Sequence, residues 1–257
     1  MDEETIPPDH PRYWSLVIRE RLVRGFRNGI VVPQGLIAHG RGEAFDYILG
    51  EETHPPAREA TKAAAALLLV SQNPVISVNG NSAALAASEL IKLSRISNAK
   101  LEINLFHRSR EREERILELL QEEGADDILG VGEDAKAIIP DISSLRRKVS
   151  SRGIYTADTV LVALEDGDRT ESLIKMGKKV IAIDINPFSR TARYATTTIV
   201  DNIIRAIPNL VKECEKLKNL PLEEIRHITE KFDNQANLRN MVLIILQRLE
   251  KIAQHGF

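Results

Sequence analysis

From residue 73 onwards, two patterns of hydrophobic and polar positions follow one another in turn along the sequence. Short apolar runs, which are typical of buried strands, are separated by longer stretches whose apolar residues recur at helical spacing. This alternation predicts a parallel sheet covered by helices on both faces, and therefore an α/β fold. The predicted strands are 75–78, 101–106, 127–129, 159–164, 179–183 and 196–200. The predicted helices between them are 82–94, 109–123 and 170–176, and a helix from 201 or 202 to 217 follows the last strand. Residues 138–151 predict only a short helix and a basic loop.

The first 72 residues follow a different pattern. Helical spacing predicts one helix over 12–26, and an alanine-rich stretch predicts another over 56–72. Between them, residues 33–45 show neither the alternation of a strand nor a clean helical stripe, and this stretch contains three glycines. The segment 31–53 is therefore predicted to be a glycine-rich loop.

Two closing helices are predicted over 221–234 and 235–254. The whole chain, 1–257, is interpreted as one domain, with N-terminal helices and the glycine-rich loop in 1–72, a core in 73–217 and C-terminal helices in 218–257. Small residues in 56–72 and an apolar face in 241–249 favour a homodimer, which is the commonest assembly of soluble enzymes.

Composition excludes several classes of protein. The 257 residues carry a formal net charge of −2, which favours no nucleic-acid partner. A single cysteine, Cys214, rules out an intramolecular disulfide and a cysteine-built zinc site. The acidic, proline-rich N-terminus is unlike a signal peptide, and the longest apolar run, 63–70, is too short to span a membrane. We expect a cytoplasmic protein that handles small molecules.

Polar residues follow three of the predicted strands. Asn79-Gly80-Asn81 follows the first, His107-Arg108 the second, and Asp184-Ile185-Asn186 a later one. Ligands of open parallel sheets bind beyond the carboxyl ends of the strands. Because Asn, Asp and Gly also form turns, each position alone is as consistent with a turn. The three together favour a ligand cleft.

Arginines and helix starts offer anion-binding groups. Arg41 lies between two glycines and close to His39, and this arrangement suits an anion cradle, although a structural loop with a solvated arginine is the alternative. Arg190 and Thr191 follow Asp184 closely, where they could contact a phosphate. Asn202 and Ile203 begin a predicted helix and could present backbone N–H groups to an anion or an adenine edge.

Familiar nucleotide motifs are missing. The sequence has no G-x-G-x-x-G after the first strand and no G-x-x-x-x-G-K-[ST], which disfavours a standard nicotinamide dehydrogenase and a P-loop kinase. No Ser/His/Asp order or metal-ligand cluster stands out, so the catalytic and metal-binding residues stay open.

Four segments carry a resemblance to a known family. They are HPRYWSLVIRERLVRGFRNGIVVPQGLIAHGRGEAFDYILGEET, VISVNGN, LEINLF and IAIDINPFSRTA. Together they resemble the archaeal phosphopantothenate synthetases, also called 4-phosphopantoate–β-alanine ligases. The resemblance is strongest at 10–53, 75–107 and 181–203, whereas the charged helix 109–123 and the residues beyond 212 carry little that matches.

The resemblance implies a fold, a reaction and a set of contacts. The implied fold is a Rossmann-like core with added helices, assembled as a homodimer. The implied reaction joins 4-phosphopantoate to β-alanine with ATP and Mg²⁺ on the route to coenzyme A, through an acyl-adenylate that releases AMP and diphosphate. The implied nucleotide contacts are Arg19, Arg41, Asp184, Ile185, Asn186, Arg190, Thr191, Asn202 and Ile203. His39, Asn81, His107 and Arg108 are the candidates for phosphopantoate.

Two other functions fit the same residues. A nucleotide-binding regulatory module would bind ATP without turnover, and a related adenylating ligase would join another acid to another amine. A non-nucleotide oligomer scaffold is disfavoured by the polar strand ends. A substrate panel that scores AMP and diphosphate separates these possibilities.

Overall fold

The predicted alternation of strands and helices is present in the structure, a computed structural model that describes residues 6–256. The strands are β1 (Pro74–Val78), β2 (Lys100–Ile103), β3 (Ile128–Leu129), β4 (Ala137–Ile138), β5 (Lys148–Val149), β6 (Thr159–Ala163), β7 (Lys179–Ile183) and β8 (Thr197–Ile199). The α-helices are α1 (Tyr13–Arg27), α2 (Pro33–Leu49), α3 (Pro55–Val70), α4 (Gly80–Ser97), α5 (Arg110–Glu122), α6 (Gly167–Lys175), α7 (Arg190–Tyr194), α8 (Ile203–Leu217), α9 (Leu222–Lys231) and α10 (Asn234–His255).

Six strands form one parallel sheet in the order β3-β2-β1-β6-β7-β8. From β1 the chain passes through α4 to β2 on one side, and from β6 it passes through α6 to β7 on the other. The connections therefore diverge between β1 and β6, which makes the carboxyl ends of these two strands a topological switch point. Crevices at such points are where open parallel sheets bind ligands.

Both faces of the sheet are buried, as the near-continuous apolar runs of its strands require. Ile76 and Val78 of β1 pack in the larger hydrophobic cluster, together with residues of α1, α3, α4, α5 and α8. Val75 of β1 points to the opposite face, where it joins Val160 and Leu173 in a second cluster. The prediction of a parallel sheet covered on both faces, with helical additions at both ends, is thus confirmed.

The segment predicted to be a glycine-rich loop is instead the helix α2, so that prediction is wrong. Pro33 occupies the start of the helix, where its missing N–H costs nothing, and Gly50 ends it with φ 88°. This helical position requires glycine, because the Cβ of any other residue at Gly35 would overlap the Asn81 side chain. Close packing against α4 therefore offsets the low helix propensity of glycine.

Residues 137–149 differ from the short helix and basic loop predicted for 138–151. β4 and β5 form a two-stranded antiparallel ladder, and a single 3₁₀ turn, Leu145–Arg147, precedes β5. Such short strands lie below the length at which sequence alternation can be recognised.

The alanine-rich helix α3 lies inside the molecule. Ala60, Ala64 and Ala65 are fully buried, and the helix packs on α8 and α9 of the same chain. Its small residues therefore serve packing within this chain, although a partner helix was expected there. On α10, by contrast, Leu243, Leu246 and Leu249 are exposed. Within residues 6–256, no helix combines the length and apolar character that a membrane span requires.

Candidate functional site

Helix α2 lies across the carboxyl edge of the sheet and covers a cleft with three connected cavities. We name them the switch-point pocket, of about 320 Å³, the outer pocket, of about 370 Å³, and the small cavity, of about 20 Å³. The small cavity shares Leu164 with the switch-point pocket, and it shares His39, Glu43 and Asn202 with the outer pocket. The three cavities therefore lie next to one another beneath the helix.

Two stripes of α2 side chains line this cleft. Gly35, Ala38 and Gly42 recur at spacings of three and four residues and face the sheet, where their small size leaves room for a ligand. His39 and Glu43 lie on the neighbouring stripe and line the outer pocket. The helix thus presents one stripe of small residues and one stripe of polar residues to the cleft.

The start of α4 forms the floor of the switch-point pocket. Asn79 caps the helix by accepting a hydrogen bond from the Ser82 backbone N–H at 3.0 Å, and Ser82 Oγ accepts one from the Asn79 N–H at 2.9 Å. The Asn79 amide also donates to the Ala163 carbonyl across the switch point at 2.7 Å. Asn81 donates to the Gly35 carbonyl at 2.8 Å, which fixes α2 against α4. With Asn79 as the cap, the helix begins at Gly80, two residues before the predicted start at 82.

Arg112 of α5 is the most unusual group in this pocket. Its side chain is 9% exposed, and no carboxylate in residues 6–256 lies within ion-pair distance of it. Nε donates to the Ile30 carbonyl and Nη1 to the His107 carbonyl, each at 2.8 Å, which leaves Nη2 without a partner among the described residues. Burial and the neighbouring charge of Arg146 lower the pKa of Arg112 to about 10. A buried cation with no counter-ion is costly unless a ligand supplies the anion.

Arg146 is the second buried arginine on this pocket, but its charge is compensated. It forms ion pairs with Glu165 and with Asp166, the latter at 2.9 Å. Burial raises the pKa of Asp166, which also lines the pocket, although the Arg146 charge opposes the rise. Arg146 Nε is buried without a hydrogen-bond partner. The pocket thus carries two arginine side chains with unused donor atoms.

Glu102, under the neighbouring loop, holds the segment that follows Arg146. This buried carboxylate accepts hydrogen bonds from the backbone N–H groups of Ser150, at 2.9 Å, and Ile154, at 2.6 Å. Burial raises the pKa of Glu102 to about 7, and the two backbone N–H groups oppose the rise. The clamp keeps the β5 connection, and with it Arg146, in place beneath the cleft.

The residues predicted to bind phosphopantoate do not all lie in the same pocket. Asn81 and His107 line the switch-point pocket. Arg41 of α2, which was predicted to contact the nucleotide, lies at the exposed rim of the same pocket. Arg108 turns away, since it pairs with Glu113 and donates to the carbonyls of Gly130 at 2.6 Å and Lys148 at 3.1 Å. Arg112, four residues further on, supplies the guanidinium that faces the pocket.

Acidic groups characterise the outer pocket. Glu43 Oε1 accepts hydrogen bonds from Ser15 Oγ at 2.6 Å and from the Tyr47 hydroxyl at 2.7 Å, whereas Oε2 has no partner in residues 6–256. Burial acts to raise the pKa of Glu43, but these two hydrogen bonds and the charge of Arg19 outweigh it, so the net pKa lies below the usual value. Glu43 is therefore ionised at neutral pH.

A buried network closes the far side of the outer pocket. Arg205 pairs with Asp46 at 2.5 Å and with Asp201 at 2.7 Å. Asp46 also accepts a hydrogen bond from the Asn202 amide at 2.8 Å, and Asp201 accepts one from Thr53 at 2.6 Å. One arginine thus faces two carboxylates at this wall of the outer pocket, and burial raises the pKa of Asp201 although the charge of Arg205 opposes the rise.

His39 lies where the outer pocket meets the small cavity. Burial lowers the pKa of His39 below the usual value; Glu43 and Asp46 oppose this effect, and Arg19 reinforces it. Its ring nitrogens form no hydrogen bond with any residue in 6–256. His39 therefore presents a neutral imidazole with a free nitrogen to the cleft.

The residues predicted to bind the nucleotide fall into two groups. Ile185, Asn202 and Ile203 line the small cavity, and Asn202 caps α8 by accepting a hydrogen bond from the Ile204 backbone N–H at 3.3 Å. Arg19 instead lies near His39 and Glu43 and donates weakly to the Ser15 carbonyl at 3.4 Å. Its buried Nη2 has no partner among residues 6–256.

The second group is engaged with other protein residues in this conformation. Asp184 accepts hydrogen bonds from Ser189 Oγ and, at 3.0 Å, from the Asn186 N–H, while the Asn186 side chain accepts from the Phe188 N–H at 2.9 Å. Thr191 donates to the Glu165 carbonyl at 2.9 Å. Arg190 is exposed and paired with Asp168 and Glu171. These contacts shape the turn after β7.

In residues 6–256, no group of three or more His, Cys, Asp or Glu side chains is placed to hold a metal ion. The cleft instead combines cationic donors at one end, carboxylates at the other and a neutral histidine between them. It can bind a multiply charged anion beside a cationic group and hold the two close together.

Comparison with known proteins gives one consistent match. The model of the phosphopantothenate/pantothenate synthetase family matches residues 56–248. A relative from Thermococcus onnurineus (strain NA1), named 4-phosphopantoate–β-alanine ligase, is 50% identical over 98% of this chain and 96% of its own length. Relatives of the same name from Thermococcus kodakarensis and Methanosarcina mazei are each 49% identical, over 98% and 96% of this chain and 96% and 97% of their own lengths.

Proposed function

Because the chain belongs to the phosphopantothenate/pantothenate synthetase family, we propose that it is a ligase that condenses 4-phosphopantoate with β-alanine. ATP is the co-substrate in this proposal. The acid is first activated as an acyl-adenylate with release of diphosphate, and the amine then displaces AMP to give 4′-phosphopantothenate for coenzyme A biosynthesis. The reaction takes place in the cytoplasm.

The unpaired arginine in the switch-point pocket is the observation that carries this proposal. A phosphate monoester offers a dianion with several acceptor oxygens, which matches a buried guanidinium that has no carboxylate partner. The start of α4 adds backbone N–H groups and the positive end of the helix dipole at the same place. Arg112 and the start of α4 would therefore bind the phosphate of 4-phosphopantoate, with Asn81 and His107 beside it.

The nucleotide is proposed to occupy the region around the small cavity and the turn after β7. Asn202 and Ile203, at the start of α8, and Ile185 line this cavity and support that placement. A cavity of about 20 Å³ requires α2 or the turn to move outward when ATP binds. The predicted contacts of Arg19, Arg41 and Arg190 with the nucleotide belong to that bound state.

Magnesium is proposed to enter with the ATP phosphates, because Mg²⁺ commonly keeps several waters and binds through substrate phosphates rather than through an all-protein cage. The ion would neutralise charge on the departing diphosphate. The residues of the chain position the two reactants, and holding them together removes much of the entropic barrier of a bimolecular step.

The decisive experiment is a substrate panel. With 4-phosphopantoate, β-alanine, ATP and Mg²⁺, we expect equal amounts of 4′-phosphopantothenate, AMP and diphosphate. ADP and phosphate as products would replace the acyl-adenylate with an acyl-phosphate. ATP binding without AMP formation for any acid and amine would support the regulatory module instead.

A homodimer is proposed from the exposed face of α10. Leu243, Leu246 and Leu249 form an apolar row on this helix, and Phe188 is exposed near its start. A self-complementary apolar face of this kind suits an isologous two-fold interface. Light scattering at micromolar concentration should give twice the mass of the chain, and the substitution Leu246→Glu should shift the mass to that of the monomer.

A further inference from the structure

We propose that His39 is the base of the amide-forming step and takes the proton from the ammonium group of the amine substrate, which binds in the outer pocket. This inference rests on the proposed ligase reaction and assigns a role to one residue within it. It follows from the charges of the two larger cavities, the free acceptor atoms of Glu43 and His39, and the position of His39 between the cavities.

The two larger cavities have opposite chemical character, and so do the two proposed substrates that are joined. The switch-point pocket contains an arginine without a counter-ion, which suits an acid that carries a phosphate. Three carboxylates, Glu43, Asp46 and Glu51, line the outer pocket together with Arg12 and Arg205, and Arg205 is shared between two carboxylates. At neutral pH β-alanine carries an ammonium group, so the outer pocket is the cavity that attracts it.

Glu43 provides the specific contact for that ammonium. Its Oε1 is held by Ser15 and Tyr47, so the carboxylate has a fixed position, and its Oε2 is free to accept a hydrogen bond. In residues 6–256 no lysine or arginine forms an ion pair with it. An ionised carboxylate with one unused oxygen on a cavity wall is a suitable partner for a primary ammonium group.

His39 lies one helical turn before Glu43 on the same face of α2, so the two side chains flank the same space. The charged groups around it are Glu43 and Asp46 from α2, Arg19 from α1, and Asp201 and Arg205 next to and within α8. His39 lines both the outer pocket and the small cavity through which the outer pocket adjoins the switch-point pocket. A proton acceptor is thus located between the cationic amine and the activated acid.

The proton balance of the step is complete with these groups. A free nitrogen of the His39 ring accepts one proton from the ammonium, which leaves a nitrogen lone pair. That lone pair forms the C–N bond to the acyl carbon, and the C–O bond to the AMP phosphate breaks with its electrons on the phosphate. The nitrogen loses its second proton to the departing phosphate or to water, and His39 returns its proton to solvent.

A neutral imidazole is required at the start of this step. The lowered pKa of His39 keeps the ring unprotonated over the physiological range, although two carboxylates lie nearby. An aliphatic amine has a pKa of about 10, so nearly all β-alanine binds as the ammonium and must lose a proton before its nitrogen can attack. General-base catalysis typically contributes roughly 10²- to 10⁴-fold in rate.

The test separates the two half-reactions in wild type, His39→Gln and His39→Ala. Acid activation is measured without β-alanine, as exchange of labelled diphosphate into ATP that depends on 4-phosphopantoate. Amide formation is measured with β-alanine, and separately with hydroxylamine, a nucleophile that is unprotonated at neutral pH. His227→Gln, an exposed histidine on α9 that lines none of the three cavities, is the matched control.

We expect both His39 variants to keep exchange within about threefold of wild type and to lose roughly 10²-fold or more in amide formation with β-alanine. Hydroxylamine should react almost as fast with the variants as with wild type. Between pH 7 and 9 the β-alanine rate of the His39 variants should rise as free amine accumulates, because only the unprotonated nitrogen can attack.

Three results would overturn the proposal. They are normal β-alanine turnover by His39→Gln, equal losses of exchange and amide formation, and no recovery with hydroxylamine in a variant whose exchange is intact. Absence of exchange in wild type would instead refute the proposed ligase function, so the two failures are distinguishable.

Discussion

The switch-point pocket and the outer pocket lie under the same helix but have opposite electrostatics. In the first, Arg112 is buried with no carboxylate beside it. In the second, Glu43 is ionised with no basic ion-pair partner, and Arg205 is outnumbered by carboxylates. In each pocket a charged group thus has no ion-pair partner among the described residues. Unpaired charge, rather than cavity size, distinguishes the two ends of this cleft.

The largest effect that would test this contrast is expected at Arg112. We expect Arg112→Gln to lower kcat/KM for 4-phosphopantoate by about 100-fold, since a hydrogen bond to a charged group contributes about 1.5–3 kcal/mol. The preference for 4-phosphopantoate over pantoate should fall by a similar factor in steady-state assays. Arg110→Gln, at an exposed position of the same helix, is the control and should change neither value. An unchanged preference in Arg112→Gln would remove the phosphate site.

Helix α2 forms a wall of both pockets, and a substitution at Gly35 should displace it. A Cβ there would overlap Asn81 Oδ1 and force α2 away from α4, so we expect Gly35→Ala to lower the free energy of unfolding by about 1–3 kcal/mol. KM should rise for both substrates. In the matched variant Gly40→Ala the new Cβ meets nothing within 4 Å, and the free energy of unfolding should increase by about 0.5–1 kcal/mol. Thermal melting of the two variants in opposite directions would verify the helix, and destabilisation by Gly40→Ala would count against it.

On the acidic side, Glu43→Gln should act on one substrate only. We expect KM for β-alanine to rise about tenfold, which corresponds to about 1.4 kcal/mol, because the ammonium loses its charged partner. KM for 4-phosphopantoate should stay within twofold. The exposed Glu59→Gln is the control. If KM rose equally for both substrates, the assignment of the amine to the outer pocket would be wrong.

The smallest effect is expected at the rim. Arg41 is exposed, and solvent screening weakens the contribution of such charges. We expect Arg41→Ala to lower kcat/KM for ATP or 4-phosphopantoate by about threefold to tenfold with an unchanged melting temperature. Arg41→Lys should recover part of the loss, because lysine keeps the charge but not the planar donor geometry. Wild-type kinetics in both variants would show that Arg41 has no ligand contact.

The sheet and most helices were predictable because their signals are local and periodic. Each long strand is an apolar run followed by polar residues, and burial on both faces produces that pattern. The prediction for 31–53 failed for the opposite reason. Helix α2 depends on tertiary contacts, such as Gly35 against Asn81, that leave no period in the sequence.

The site was predictable in location but not in detail. Strand ends correctly indicated that Asn81 and His107 lie beside a cleft, because topology alone gathers them there. The same reasoning predicted Arg108 as a ligand contact and did not identify Arg112. The direction in which each side chain points depends on tertiary packing, which the sequence does not reveal. The sequence nevertheless distinguishes Arg112 from the neighbouring arginines. Arg110 and Arg115 each have a glutamate four residues away. The residues four positions before and after Arg112 are instead Arg108 and Ile116, so no carboxylate is available on the same face of the helix.

The uneven burial of α2 has a consequence for how the cleft opens. Only Asp46 and Leu49 of this helix are fully buried, and both lie in its C-terminal half. Residues 33–42 are therefore expected to unfold locally at a lower free energy than the sheet, and their amide hydrogens should exchange with deuterium before those of β1 and β6. Since this half of the helix covers the switch-point pocket and contains His39, one local opening event would admit the acid and expose the base together. Bound ligands should then slow exchange at residues 33–42 more than anywhere else in the chain.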